Sequence, residues 1–163
     1  FWAMSDGTFR CTKVFAAKYK VYALEGPFED SSVEHLNVDV TKNNQTIEFR
    51  VEPYARLKNV NITVTGNTVQ ANYNIEFTTS SRVPTRSVLL VHESVHLQQT
   101  TVGVKRSTVN NLTGKTQQEI ESTAFQDQIT GLAPGTYYAR VGVLTNNYLN
   151  RYNYSPIVKI VIQ

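Results

Sequence analysis

Ile129-Thr130-Gly131-Leu132-Ala133-Pro134-Gly135-Thr136-Tyr137-Tyr138-Ala139-Arg140-Val141-Gly142-Val143 is the stretch on which the reading of the chain turns. Pro134 presets φ at about −65°, and Gly135 can take the positive φ that a type II turn needs next. The segment from Gly131 to Gly135 is therefore expected as a turn. After it, Tyr137, Ala139, Val141 and Val143 alternate with Tyr138, Arg140 and Gly142, the period of two that marks a half-buried strand.

The same signature recurs outward from this point. Val60, Ile62 and Val64 share one face, Gly66-Asn67 turns the chain, and Val69, Ala71, Tyr73, Ile75 and Phe77 share the next face. Pro84 precedes the apolar run Val88-Leu89-Leu90-Val91. Residues 97–124 are polar with weak periodicity and read as long loops. Downstream, residues 145–154 form an Asn- and Tyr-rich loop before a closing strand at 157–162.

Toward the N-terminus, Ile47, Phe49 and Val51 alternate with charged residues until Pro53, which cannot donate to a continuing ladder. Leu36, Val38 and Val40 make a short strand, and residues 14–23 another. Lys42-Asn43-Asn44 is a polar turn, and Asp6-Gly7 is a hairpin signal between residues 1–4 and 8–12. No segment of ten residues carries a helical stripe. The class is all-β, as two β-sandwich domains, residues 1–54 and 55–163, with the boundary near residues 53–56. Ile47, Phe49, Val51, Val60, Ile62, Tyr73, Ile75, Val141 and Val143 are the expected buried set.

Composition narrows the function classes. Of 163 residues 18% are charged and 40% hydrophobic, so a folded core rather than disorder is expected. The net charge of +3 comes from scattered residues, with no basic stripe of the kind a nucleic-acid footprint needs. The single cysteine, Cys11, excludes an internal disulfide and a multi-cysteine zinc site. Phe1-Trp2-Ala3-Met4 reads as the inside of a strand, so any signal peptide or lipid-attachment cysteine is expected upstream of it.

Leu132, the Pro134-Gly135 turn and a tyrosine entering a strand resemble the E–F corner and F strand of fibronectin type III and related immunoglobulin-like sandwiches, where a corner tyrosine ties the turn to the backbone. Both Tyr137 and Tyr138 are candidates for that bond. Phe1-Trp2, Asp6-Gly7-Thr8-Phe9 and residues 14–21 resemble the later strands of carboxypeptidase-regulatory-like (transthyretin-like) domains, with Ala17 where their usual glycine stands. Arg151-Tyr152-Asn153-Tyr154-Ser155-Pro156 and Val51-Glu52-Pro53-Tyr54-Ala55-Arg56 are similar to a family of Bacteroidetes lipoproteins that pairs such a domain with an immunoglobulin-like one. That resemblance implies an N-terminal sandwich lacking its first strands and residence at the outer membrane, surface-exposed or periplasmic. It also implies a lipid anchor upstream, partners among polysaccharides or outer-membrane glycan-uptake proteins of the Sus-like type, and no catalytic residues.

Two constellations carry possible chemistry. His92-Glu93-Ser94-Val95-His96 matches the H-E-x-x-H pattern. On a helix both imidazoles would reach one Zn²⁺ with Glu93 as general base, and Glu119 or Glu121 could supply a third ligand. On a strand the two histidines stand roughly 13 Å apart. The all-β surroundings favour the strand, so neither metal nor cofactor is expected, and a zinc hydrolase ranks below a binding module or a structural spacer. The second constellation is the loop bearing Asn146, Asn147, Tyr148, Asn150, Arg151 and Tyr152. Flat aromatic faces suit the C–H face of a sugar, while amide and guanidinium donors suit its hydroxyls. Tyr154, next to the closing strand, is expected to pack instead. Cys11 reads as a small buried or half-buried side chain and not a nucleophile, His35 as a loop residue, and the sequons at Asn44, Asn61, Asn111 and Asn153 carry little meaning in a bacterial protein. The expectation is a non-enzymatic envelope module that binds glycan or serves as a scaffold or protein–protein spacer.

Overall fold

A computed structural model describes residues 3–4, 7–41 and 45–163. Strands β1 (Lys18–Val21) and β2 (Leu36–Asp39) form a two-stranded antiparallel sheet. Then follow β3 (Ala55–Thr65), β4 (Thr68–Phe77), β5 (Pro84–His92), β6 (Lys105–Arg106) and β7 (Asn110–Asn111). Helix α1 (Gln117–Glu121), β8 (Phe125–Ile129), β9 (Gly135–Thr145), β10 (Tyr152–Tyr154) and β11 (Val158–Ile162) complete the chain. One sheet runs β3-β4-β8. The other centres on β9 and β5, with β10 and β11 both paired to β9, and β6 and β7 both paired to β5. All these pairings are antiparallel.

Alternation decides which side chains meet between the sheets. Val69, Ala71, Tyr73 and Ile75 of β4 face Leu89 and Val91 of β5 and Ala139, Val141 and Val143 of β9 in one core. This is the two-layer solution for sheets that are apolar on one face. Gly66, at φ 59°, takes the first position of the two-residue turn joining β3 to β4, where a left-handed conformation matches the strand twist. Val60 and Ile62, expected to be buried, are only half-buried because β3 is the edge of its sheet. β3 also carries a bulge: the register slips between Lys58 and Asn61, with Asn59 at φ 51°.

The connection into β9 bends at Gly131, φ 73°, while Gly135, φ 159°, is extended and starts the strand. The left-handed turn conformation thus falls at Gly131, four residues before the place expected from the Pro-Gly pair. The corner bond belongs to Tyr137: its hydroxyl donates to the Ala133 carbonyl at 3.1 Å. That ring faces the core, whereas Tyr138 points to the other side of the sheet.

Before Ala55 the ladders are sparser than the sequence suggests. Residues 45–52, which alternate like a strand, are not one, and Ile47, Phe49 and Val51 are half-buried. Alternation sets what each face of a strand offers, but a strand exists only when a neighbour takes its backbone groups. Here pairing is confined to the end of the segment, where Glu29 N–H donates to Glu52 O at 2.9 Å and Phe28 bridges to Pro53. Residues 8–12 likewise carry no ladder, although Met4 and Thr8 close a turn around Gly7. Of the strand expected at 1–4, residues 3–4 are not strand and residues 1–2 lie outside the described residues, as do the Asp6 turn position and the turn at 42–44.

The stretch at 97–124 is more ordered than a run of loops. It holds β6, β7 and α1, and Thr116 with Glu119 closes a reciprocal capping box on α1. Ile120 is the helix's buried anchor.

Candidate functional site

The loop between β9 and β10 is built around one side chain. Asn147 is 5% exposed. Its Nδ2 donates to Thr145 O, Thr145 Oγ1 and Arg151 O, and its Oδ1 accepts from Arg151 N–H at 3.0 Å. Thr145 and Arg151, six positions apart, are thereby clamped to Asn147. Asn150 takes a left-handed conformation, φ 52°, which asparagine tolerates, and donates its N–H to Asn147 O. Asn146 ties the loop sideways: its Oδ1 accepts from Val83 N–H, and its own N–H donates to Val83 O. The loop between β4 and β5 is in turn held by Glu29, whose carboxylate accepts from the Thr79 and Ser81 hydroxyls. Those two bonds, with Arg82 nearby, keep the Glu29 carboxyl below its ordinary pKa.

The six residues singled out in the sequence divide accordingly. Tyr148 is 69% exposed, and Asn150 and Arg151 are exposed beside it. Asn146 is exposed, but its amide oxygen is committed. Asn147 and Tyr152 are buried, so their side chains serve as frame and do not face solvent. Asn147 and Asn150, three residues apart in one loop, look alike in sequence; burial alone separates the clamp from the rim.

Tyr152 begins a row of stacked groups on the outward face of the β9 sheet. Tyr152 and Tyr154 stack with centroids 5.7 Å apart, Arg140 lies over Tyr154 at 3.8 Å, and Arg86 lies over Tyr152 at 6.0 Å. Each contact places a cation or a ring on an aromatic face, attractive through the ring quadrupole. Gly142 lies beneath the pair: a Cβ there would come within 2.8 Å of the Tyr154 ring and 3.1 Å of the Tyr152 ring. Residues 93–104 fold over the row, burying Leu97 and Val104 against Val88, Leu90 and Leu144. Arg140 donates to Leu97 O, and the Tyr154 hydroxyl accepts from Gln99 N–H. Burial lowers the Arg140 pKa to about 10 and raises that of Tyr154. The expectation that Tyr154 packs is met.

His92 ends β5, and residues 93–96 form bends, not a helix. His92 Nδ1 accepts from Ser94 N–H, which takes up one of its two possible ligand positions. Among the described residues no group of three His, Cys, Asp or Glu side chains is placed to hold a metal ion. Cys11, expected to be buried or half-buried, is exposed.

Behind β5, on the inward side, sits a polar cluster that the sequence reading missed. Tyr73 OH lies 2.7 Å from Ser87 Oγ and donates to Asp127 Oδ2, and Asn110 Nδ2 donates to Asp127 Oδ1 at 2.8 Å. Burial, opposed by these bonds, raises the Asp127 pKa, and burial beside Asp127 raises that of Tyr73. The only hint in the sequence is polar Asp127 standing in the inward phase of Phe125–Ile129.

A two-sheet, fibronectin-like sandwich with a braced loop rim is the class these features define. The chain belongs to the DUF3823 family: the profile of its C-terminal domain, a domain of unknown function, matches residues 55–159. A DUF3823 family protein from Bacteroides uniformis has the same fold, with a TM-score of 0.74 at 19% identity over 100% of this chain and 81% of its own. A second B. uniformis protein, described as a candidate carbohydrate binding protein, gives 0.69 at 21% identity over 96% and 79%. A DUF3823 family protein from Bacteroides ovatus gives 0.69 at 19% over 93% and 79%. At these identities the likeness speaks for the fold alone. Among curated protein sequences none matches the chain.

Proposed function

We propose that the protein is a non-enzymatic glycan-binding module of a cell-envelope lipoprotein. In this reading residues 1–54 are a carboxypeptidase-regulatory-like unit, a lipid anchor lies upstream, and the module works in polysaccharide capture beside outer-membrane uptake proteins. The observation that carries the reading is Tyr148: a large aromatic side chain 69% exposed on a loop otherwise pinned by the buried Asn147 clamp. An exposed ring on a rigid support can stack on a sugar with little ordering cost. Asn150 and Arg151 stand next to it as donors for hydroxyls. The likeness to a candidate carbohydrate binding protein supports the same reading.

One stacking aromatic contributes on the order of 1 kcal/mol, so single-site affinity is weak and gains from avidity at a crowded surface. Affinity gels cast with a panel of polysaccharides test this. The native protein should be retarded by at least one of them, and Tyr148→Ala should run freely while melting at the same temperature. Free migration of the native protein in every gel would sink the glycan reading and put the spacer or protein–protein role first.

A further inference from the structure

Arg86 and Asn111 are cross-strand partners on β5 and β7, and their neighbours Ser87 and Asn110 are partners in the next position. Alternation turns Ser87 and Asn110 inward to the Asp127 cluster. Arg86 and Asn111 are turned outward, where with Thr85, Val109 and Thr113 they line a depression of about 280 Å³. Small-molecule pockets begin at roughly 300 Å³, so the space suits one sugar residue, not a long chain.

Arg86 and Asn111 are the side chains that bring N–H donors to this depression. Asn111 Oδ1 accepts from Thr113 N–H, which leaves its Nδ2 donor uncommitted, and the Thr85 hydroxyl donates to Leu144 O. The guanidinium of Arg86 rests over Tyr152 at the outer end of the stacked row. Among the described residues the ion pairs are Arg56–Glu52 and Lys58–Glu76, so Arg86 shares no carboxylate. Arg151, one residue before Tyr152, has none either. Tyr152 pairs with Leu144, which pairs with Arg86. Arg86 and Tyr152 therefore stand two strand spacings, about 10 Å, apart, and Arg151 adjoins Tyr152 in the chain.

We infer that the Arg86 depression binds a carboxylate, and that the glycan taken by this module is an acidic, uronate-containing polysaccharide. This rests on the glycan-binding reading given above. A guanidinium accepts a carboxylate through two parallel N–H···O bonds. Stacking on Tyr152 holds it partly oriented before the ligand arrives, which lowers the ordering cost of binding. Asn111 Nδ2 offers a donor to a ring hydroxyl, Val109 a small apolar wall, and Arg151 a second positive charge toward the Tyr148 rim.

Affinity gels with polygalacturonate and with its methyl-esterified form share one backbone and differ in free carboxylates. Polygalacturonate should retard the protein, the ester should do so far less, and added salt should weaken the difference. Arg86→Gln and Arg86→Glu should lower the affinity for polygalacturonate on the order of tenfold or more, with the melting temperature unchanged because the side chain is exposed. Equal retardation by both forms, or full retention in Arg86→Gln, would overturn this inference while leaving the Tyr148 reading intact. Tyr148-dependent binding confined to neutral polysaccharides would do the same. No retardation in any gel, acidic or neutral, would remove both.

Discussion

Leu89 and Leu90 are consecutive in β5, both fully buried, and on opposite faces of the same sheet. Leu89 lies in the core between the two sheets, among side chains supplied mainly by the hydrogen-bonded strands β4, β5 and β9. Leu90 lies under residues 93–104, which cover the outer face without a strand or helix and are fastened by Leu97, Val104 and a few bonds to Arg140 and Tyr154. Equal burial thus hides unequal support. One leucine is packed by a framework, the other by a cover that rests on it.

The largest expected effect follows from that contrast. Leu→Ala in a core costs about 2–5 kcal/mol, depending on how far the surroundings close the cavity. Leu89→Ala should fall toward the upper end and Leu90→Ala toward the lower, read from urea unfolding midpoints at unchanged m-value. Equal costs would mean that the cover is as rigid as the sheet.

A second substitution probes the outer face by adding an atom. Gly142→Ala places a Cβ 2.8 Å from Tyr154 and 3.1 Å from Tyr152, both rigid rings. Overpacking of this kind costs about 1–3 kcal/mol, and the rings must shift, which disturbs the Arg140 and Arg86 stacking with them. Thermal unfolding measures the cost. A variant as stable as the native protein would show that the rings have room to slide.

The smallest effect concerns the inner face and appears only with pH. Burial keeps the folded-state pKa of Asp127 above its unfolded value, which is about 3.9. Stability from the protonated form is complete below that unfolded value and is lost as pH rises through the folded one. Asp127→Asn stays neutral throughout. The difference in melting temperature between native protein and variant should therefore drift in the variant's favour from about pH 4 toward pH 7. A constant difference would mean that the carboxyl ionises alike in both states.

How much of this was legible in the sequence depends on whether a signal repeats. β3, β4, β5 and β9 announce themselves by alternation, because a long strand exposes its period several times over. The outer cover does not: Leu97 and Val104 are its two anchors, seven residues apart in a polar stretch, and no period links them. α1 is too short for a stripe, though Thr116 and Glu119 spell a capping box that marks its start. Tyr137 and Tyr138 are identical in type, and only the strand's phase assigns the corner bond to the first. At the candidate site the loop was visible from its Asn and Tyr content, but the division between Asn147 as clamp and Tyr148 as rim was not. Arg86 was hidden for a different reason. A single arginine between Thr85 and Ser87 has no pattern, and its interest comes from Tyr152, 66 positions away, and from Asn111 across the ladder.

The bulge at Asn59 bears on how such a molecule keeps to itself among many copies. β3 is eleven residues long and open along one side, and a straight open strand of that length offers a row of free N–H and C=O groups to any second strand. The left-handed residue at position 59 breaks that row near its middle and throws the register off by one. Lys58 and Arg56 add charge along the same strand. A neighbouring copy could match only a few consecutive bonds before losing step. The irregularity that weakens the ladder to β4 therefore discourages polymerisation, and the loop rim stays the more inviting surface.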